Sequence, residues 1–188
     1  MKKVLLPLLL AAPLCAQSLE FGIHGYSQMY PAVGSPSTET KSATAFAGRF
    51  GYSIIDLGPT LLQVSAVYQP KVESEVKVGG IASSLKLGDE YFGAGVMFTF
   101  KALVAFGAGL DYRAEKLTWG TASTTYGRSW ARVNLGFAFP IPIVKPFIMV
   151  EVAAPLTKQS YSSSLGPEDR LKALAPNLQA GIYAGIRF

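Results

Sequence analysis

The chain contains 188 residues, of which 49% are hydrophobic and 12% are aromatic. Its 17 Lys and Arg against 12 Asp and Glu give a net charge of +5, which is too small and too scattered to indicate nucleic-acid binding. No uninterrupted apolar run reaches the roughly 18 residues of a membrane-spanning helix. A composition this apolar, with 19 Gly, therefore favours strands that contact lipid over a soluble domain or a helical membrane protein.

Residues 1–16 have the pattern of a secretory signal peptide. Lys2 and Lys3 form a positively charged end, Val4 to Leu14 form a short apolar core, and Ala16 is a small residue at which cleavage is expected. Export through this signal would take the chain into a compartment that permits disulfides.

Cys15 is the only cysteine of the chain. A lipoprotein anchored through Cys15 is the alternative to a cleaved signal peptide, but the residues before this cysteine are larger than such an anchor requires. The mature chain, residues 17–188, is predicted to be one β-barrel domain without any cysteine, which excludes disulfides and thiolate chemistry.

Apolar and polar residues alternate with a period of two in eight segments of the mature chain. This period places successive side chains on opposite faces of a β-strand. A strand of roughly 9–11 residues with one apolar and one polar face can cross a bilayer around a polar interior. The eight predicted strands cover approximately residues 19–30, 43–55, 60–69, 91–100, 104–113, 126–139, 144–154 and 177–188.

The segment 93–110 distinguishes strands from a spanning helix. In a helix, Lys101 would lie near the middle of the bilayer, at a cost of roughly 2.5–3.5 kcal/mol. In a hairpin, Phe92 and Phe98 share one face of the incoming strand, Phe106 continues that face, and Lys101 lies in a turn exposed to water. The hairpin explains every one of these positions, and the segment therefore favours a β-barrel.

The connections between the predicted strands alternate in length. Four long loops alternating with three short turns are what an eight-stranded antiparallel up-and-down transmembrane barrel requires when both termini face the periplasm. The predicted extracellular loops are near residues 31–42, 70–88, 115–126 and 155–175, and the predicted periplasmic turns are near residues 56–59, 101–102 and 140–143.

Two of the long connections also have the pattern of strands that continue beyond the membrane. Val72 and Val78 lead into the two-residue turn pattern of residues 79–80, and residues 119–120 cap a similar extension. An extracellular protein partner could add a strand to such a hairpin, or the hairpins could simply shield the rim. The Ser-rich segment 161–164 of the last connection is predicted to be a solvated linker.

The last predicted strand ends on an aromatic residue, Phe188, in its apolar row. This ending resembles the C-terminal strand of bacterial outer-membrane β-barrel proteins, whose terminal Phe is part of the signal recognised by the assembly machinery. Over essentially all of the mature sequence, the pattern is similar to the small, porin-like outer-membrane barrels of the OmpA/OmpX type. A soluble barrel of the lipocalin type is the alternative, with its apolar face turned inward.

The resemblance implies a location in the outer membrane of a Gram-negative cell envelope. It also implies contact with outer-membrane lipid and lipopolysaccharide, and with the assembly machinery through the C-terminal strand. We expect a monomer that binds neither nucleic acid nor a cofactor. No periplasmic domain is expected after the barrel, so the peptidoglycan anchoring of larger members is not implied.

Eight charged residues are predicted to face the lumen. An eight-stranded barrel is just wide enough for side chains to fill, so these groups must largely compensate one another. They form either a plug of ion pairs that holds the barrel closed or a gated path for small ions. The predicted lumen charges are Glu20, Arg49, Asp111, Arg113, Arg128, Arg132, Glu151 and Arg187.

The distance of each charge from its turn predicts which of them meet. Asp111, Arg132 and Glu151 lie at similar heights on three consecutive strands. Glu20 at the start of the first strand is expected to meet Arg187 near the end of the last strand.

His24 is the only histidine and the only candidate general base of an acyl hydrolase or acyltransferase. Ser27 is close in sequence but faces the other side of an unbroken strand, so His24 is predicted to be a polar lumen residue. No spacing of His, Cys, Asp or Glu suggests a metal site, and no phosphate loop lies between a strand and a helix.

The predicted function is that of a non-enzymatic outer-membrane barrel with a role in envelope structure. Its protruding loops would present a surface to external partners. A narrow pore for ions or small solutes and a lipid-modifying hydrolase or acyltransferase are the alternatives.

Overall fold

The structure is a computed structural model that describes residues 18–34, 37–102, 104–139, 141, 143–158 and 166–188. The predicted signal peptide and the Ser-rich segment 161–164 lie outside the described residues. The strands are β1 (Leu19–Met29), β2 (Thr38–Thr40), β3 (Ala43–Leu57), β4 (Thr60–Val78), β5 (Ile81–Lys101), β6 (Ala105–Trp119), β7 (Ala122–Ala138), β8 (Lys145–Pro155) and β9 (Leu178–Arg187), and the helix α1 (Pro167–Ala173) precedes β9.

Eight of these strands close into a ring. The order is β1, β3, β4, β5, β6, β7, β8 and β9, every pairing is antiparallel, and β9 pairs back with β1. The short strand β2 lies outside the ring and pairs with β4 near Val78. The eight-stranded up-and-down barrel predicted by the alternation is therefore confirmed.

The outer wall of the barrel is an apolar belt. Because side chains of a strand alternate between faces, the apolar row of each strand points outward and the polar row points into the lumen. Aromatic rings border the belt at both ends, at Phe46, Tyr68, Phe92 and Tyr112 on one side and at Phe100, Phe137, Phe139 and Phe188 on the other. Exposed residues between these borders include Phe21, Ile23, Phe50, Val64, Val96, Phe98, Phe106, Leu110, Val133, Leu135, Ile148, Val150, Ile182 and Ile186.

The two ends of the barrel differ. We call the "turn end" the end that carries the short connections after β3, β5 and β7, and the "loop end" the opposite one. At the loop end, β4 and β5 continue far past the belt and meet in a turn at Gly79 and Gly80. Both glycines have positive φ, of 58° and 82°, which is the backbone that a two-residue hairpin turn requires and that side chains disfavour.

Two of the four long loops predicted at the loop end are instead short turns on extended strands, as the turn patterns of residues 79–80 and 119–120 predicted. Most of residues 70–88 and 115–126 belong to strands, and turns of two residues close each hairpin. The apolar and polar alternation continues through both segments, with Ser74, Val76, Leu87 and Leu117 buried on the inner side, so pairing extends past the membrane.

The fourth connection also differs from a polar loop, because it contains α1. Pro167 occupies a first-turn position, where a missing N–H is tolerated, and acidic residues follow it in that turn. Leu171 and Leu174 are buried against Val76, Leu87 and Leu117. The helix therefore caps the loop end of the barrel. Among the residues that the structure describes, no helix is long and apolar enough to cross a membrane.

Candidate functional site

The lumen contains a stack of buried polar groups, and its lowest level is at the turn end. Glu20 accepts hydrogen bonds from Arg187 Nε at 3.1 Å and from the Tyr183 hydroxyl at 2.6 Å. Arg187 Nη2 lies 2.5 Å from the same carboxylate, and all three side chains are buried. Glu20 and Arg187 are partners in the β1 and β9 register, which brings the first and last strands of the ring together here.

The next level is centred on Glu151. Arg49 donates to both carboxylate oxygens, with Nη1 and Nη2 at 2.8 and 2.7 Å, a bidentate geometry that is among the stronger hydrogen-bonded pairs. Asn134 donates to the same carboxylate at 3.4 Å, and His24 Nδ1 lies 3.5 Å from it. The side chain of Glu151 has no solvent exposure.

Arg132 connects Glu151 to a second carboxylate. Its Nε lies 3.0 Å from Asp111 Oδ1, and its Nη1 lies 3.7 Å from Glu151 Oε2. Its Nη2 donates to the Ser65 hydroxyl at 2.9 Å. The structure thus brings together Asp111, Arg132 and Glu151, the three residues whose heights the sequence predicted to coincide.

Above this level, Arg113 lies between aromatic rings. Its guanidinium carbon is 4.5 Å from the ring centre of Tyr91 and 4.4 Å from that of Trp130, distances typical of cation–π contacts. Nη1 donates to Gln179 at 2.7 Å, and Nη2 donates to Asp111 at 3.3 Å.

The level nearest the loop end is centred on Glu115, which sequence reasoning did not include among the lumen charges. Arg128 Nη2 donates to Glu115 at 2.6 Å, the Tyr126 hydroxyl donates at 3.1 Å, and the Trp130 indole N–H donates to the same carboxylate. Arg128 also donates to the Pro176 carbonyl at 2.8 Å. Glu115 has the same parity as Asp111 and Arg113. The alternation, continued for two residues beyond the end of the predicted strand, would have found it.

Asp89 was missed as well, and it lies beyond the apolar belt. It lies three residues before Phe92 on β5, towards the loop end, where the outward-facing neighbours on β5 and β6 are Glu90 and Lys116 rather than apolar residues. Its Oδ2 accepts hydrogen bonds from the side-chain amides of Gln28 at 2.5 Å and Gln69 at 3.2 Å.

The environment of Asp89 disfavours its charged form. Burial, together with the nearby Glu115 carboxylate, raises the pKa of Asp89 to about 7, although the Gln69 and Gln28 amides and Arg128 act in the opposite direction. Asp89 Oδ1 and Gln28 Oε1 are buried acceptor atoms without a hydrogen-bond partner. A proton on Asp89 Oδ1 would therefore turn this unpartnered acceptor into a donor, in a cluster where Gln28 Oε1 is an acceptor without a partner.

Several of these contacts cross the lumen. Strands β3 and β8 are three positions apart in the ring of eight, and the Arg49 to Glu151 pair joins them. The same separation applies to Arg113 on β6 with Gln179 on β9, and to Gln28 on β1 with Asp89 on β5. Side chains thus bridge the interior at several heights.

Little free volume lies between these levels. A cavity beside Glu20, Arg132 and Arg187 has a volume of about 10 Å³, which is room for one water molecule. Among the described residues, no group of His, Cys, Asp and Glu side chains could hold a metal ion.

His24 is positioned as a lumen side chain. Its ring is 2% exposed and packs 4.4 Å from the ring of Tyr26, between centroids. Ser27 lies on the opposite face of β1, and none of the hydrogen bonds found among the described residues joins His24 to a serine hydroxyl. This geometry does not assemble a serine nucleophile with His24 as its base.

Ion pairs on the hairpins at the loop end are exposed. Lys41 donates to Glu75 at 2.6 Å and thereby lowers the pKa of that carboxyl, while both side chains remain more than half exposed. Glu73 lies 3.2 Å from Lys71 and 3.8 Å from Lys86, and all three are about half exposed.

Comparison with known proteins identifies the fold. No family model and no curated protein sequence matches the chain. Among solved structures, Neisserial surface protein A is similar with a TM-score of 0.51 and 13% identity, over 91% of this chain and 95% of that one. A major outer membrane protein from Thermus thermophilus is similar with a TM-score of 0.55 and 11% identity, over 90% of this chain and 98% of that one.

These similarities agree with the apolar belt, which is the surface that such a barrel turns to lipid. They confirm the predicted fold class and the predicted resemblance. The chain has the fold of the small outer-membrane β-barrels of the OmpA/OmpX type.

Proposed function

We propose that this protein is a closed, non-enzymatic barrel that contributes to the structure of the outer membrane and presents its loop end to the exterior. The observation that supports this proposal is the set of side-chain bridges across the lumen. An ion or solute moving along the barrel axis would have to break the pair of Arg49 with Glu151, which is bidentate and fully buried. Breaking a buried pair costs roughly 3–5 kcal/mol, a large barrier to conduction.

The hairpins are the part of the protein that we propose for contact with an external protein partner. The pairing of β5 with β6 ends at Leu87 and Trp119, so Ile81, Ala82 and Lys86 of β5 pair with β4 on one side only. Ile81 is 77% exposed at the tip of this edge. An extended segment of a partner could pair with these free backbone groups.

The same edge carries the charge of Lys86 and a register shift between Glu75 and Lys77. Charges and bulges discourage nonspecific pairing of other strands with an exposed edge. We therefore infer a selective partner rather than self-association, and a monomeric barrel.

Phe188 is proposed as the assembly signal. It follows β9 at the turn end, and its N–H donates to the Leu19 carbonyl at 2.9 Å. Its ring is about half exposed and lies 6.4 Å from the ring of Phe21, between centroids. The C-terminal strand thus offers an accessible aromatic side chain on the lipid face.

Conductance of the refolded mature chain in a planar bilayer tests the closed barrel. We expect no openings from the unmodified protein or from Glu73→Ala, which removes an exposed carboxylate of the hairpin. Glu151→Ala is expected to show openings or increased noise, because it removes the carboxylate that holds Arg49 and Arg132 across the lumen. Discrete openings of the unmodified protein that grow in Glu151→Ala would overturn the proposal and identify a gated pore.

A further inference from the structure

A pocket of about 160 Å³ lies at the loop end, between the end of β8, α1 and the segment that leads into β9. Its walls are small proline and alanine side chains. Its polar lining consists of Arg128, Lys158, Lys172 and Asn177, so three cationic side chains and one amide surround one cavity. None of the described residues that line this pocket is a carboxylate.

The charges around the pocket are only partly compensated. Arg128 donates to Glu115 from Nε and Nη2, and to the Pro176 carbonyl from Nη2. None of these three hydrogen bonds uses Nη1. Lys172 pairs with Asp169 at 2.8 Å, but Asp169 is half exposed, and such a pair contributes little and exchanges readily. Within the described residues, Lys158 has no carboxylate partner.

Arg128 is held in place before any ligand arrives. Its guanidinium carbon lies 4.8 Å from the Trp130 ring centre and 5.8 Å from that of Tyr126. Together with the two bonds to Glu115, these contacts fix the guanidinium, so binding would order little more than the two lysines. Preorganisation of this kind lowers the entropic cost of binding an anion.

We propose that this pocket binds one phosphate group. The volume is far larger than that of the one-water cavity beside Glu20, and it is enough for a phosphate and its first waters. Arg and Lys are the side chains that typically bind phosphate oxygens, and Asn177 adds an amide donor. The phosphate belongs either to a lipid headgroup or to a soluble anion. This inference rests on the proposed function only in taking the loop end to face outward.

The position of the pocket brings it near the lipid surface. Leu156, two residues before Lys158, is 58% exposed at the end of β8, where the strand leaves the apolar belt. A headgroup phosphate at this height would lie beside the pocket, so a lipid source needs no movement of the chain.

The test is a titration of the refolded protein in micelles of a phosphate-free, nonionic detergent, followed by tryptophan fluorescence, since Trp130 contacts Arg128. Inorganic phosphate is the probe in one arm and phosphorylated lipid A in the other. The test variant combines Lys158→Gln with Lys172→Gln. The control combines Lys71→Gln with Lys86→Gln, which makes the same charge change on the hairpin, outside this pocket.

We expect the pocket variant to lose affinity by about tenfold or more, because it removes two of the three cationic side chains around the phosphate, and the control to change by less than about twofold. Loss in both arms means that the pocket accepts phosphate from either source. Loss with lipid A alone identifies a headgroup, and loss with inorganic phosphate alone identifies a soluble anion. Equal losses in the two variants, or no binding of either probe, would overturn the phosphate site.

Failure of this inference is distinguishable from failure of the proposed function. Both lysine variants keep the lumen pairs of Glu151, so both are expected to stay silent in the planar bilayer. A conducting protein with a working phosphate pocket contradicts only the closed barrel, and a silent protein that binds neither probe contradicts only the pocket.

Discussion

Ion pairs occur in two regions of this molecule, the lumen and the hairpins at the loop end, and glutamate carboxylates take part in both, paired with Arg in the lumen and with Lys on the hairpins. In the lumen, Glu151 is fully buried and contacts Arg49 and Arg132. On the hairpin, Glu73 contacts two lysines, but it is about half exposed. Exposed pairs are screened by water and contribute little, whereas removing one member of a buried pair leaves an uncompensated charge. The comparison shows that burial, not the number of contacts, decides what a pair contributes.

The largest effect is expected from Glu151→Ala. The substitution leaves Arg49 and Arg132 without their shared carboxylate inside the lumen, so the free energy of unfolding should fall by roughly 3–5 kcal/mol. Urea unfolding in lipid micelles, followed by tryptophan fluorescence, measures this change.

Glu73→Ala is the control, because it removes a carboxylate with two cationic contacts from the hairpin. No measurable shift of its unfolding midpoint is expected. Equal unfolding midpoints for Glu151→Ala and Glu73→Ala would mean that the two regions contribute alike to stability. They would also contradict a plug of ion pairs in the lumen.

A smaller effect is expected from Gly181→Ala, which tests how closely the backbones of β9 and β1 approach at this position. A Cβ at Gly181 would overlap the backbone at Gly25 and Tyr26, which cannot move aside as a flexible side chain could. Overpacking of this kind costs roughly 1–3 kcal/mol.

Gly48→Ala is the matched control on the outer face, where a Cβ meets nothing within 4 Å. Gly48→Ala should change the free energy of unfolding by close to zero. If the two alanine variants unfold at the same urea concentration, the close approach of β9 to β1 does not limit substitution at Gly181.

Alternation in the sequence was sufficient to predict the lumen levels of Glu20 and Glu151, but not the level of Glu115. The inward parity of Asp111, Arg132 and Glu151 and their distances from the short turns determine their heights, because pairing in an antiparallel barrel is set from the turns. The contact of Glu20 with Arg187 follows from the same argument, since the first and last strands close the ring.

The loop end was predicted less well, for two physical reasons. Glu115 and Asp89 continue the alternation of their strands, but the long connections were taken to begin near them. The helix α1 has a short apolar face, formed by Leu171 together with Leu174 just after the last helical residue. A segment of 7 residues is stabilised mainly by the surface on which it packs. The first-turn Pro167 with acidic neighbours was the sequence feature that could have indicated it.

Asp89 lies at the boundary of the two regions, buried like the lumen pairs but beyond the apolar belt. Its pKa is raised to about 7, while an aspartate in the unfolded chain ionises near 3.8. Between these pH values the folded state holds a proton that the unfolded state lacks, so this group's contribution to stability falls as pH rises and is fully lost above about pH 7. The groups that face Asp89 are Glu115, Arg128, Gln28 and Gln69.

Asp89→Asn isolates this contribution, because asparagine is neutral at every pH and nearly the same size. Between pH 6 and 8 only the last part of the Asp89 titration remains. Over that range the free energy of unfolding of the unmodified protein should fall by on the order of 1 kcal/mol more than that of the variant. This is the smallest of the three effects. Urea midpoints of both proteins at each pH give the difference directly, and other titrating groups cancel from it. A difference that stays constant with pH would mean that Asp89 is ionised throughout, and its burial would then resemble that of the lumen carboxylates, which are stabilised by cations rather than by a proton.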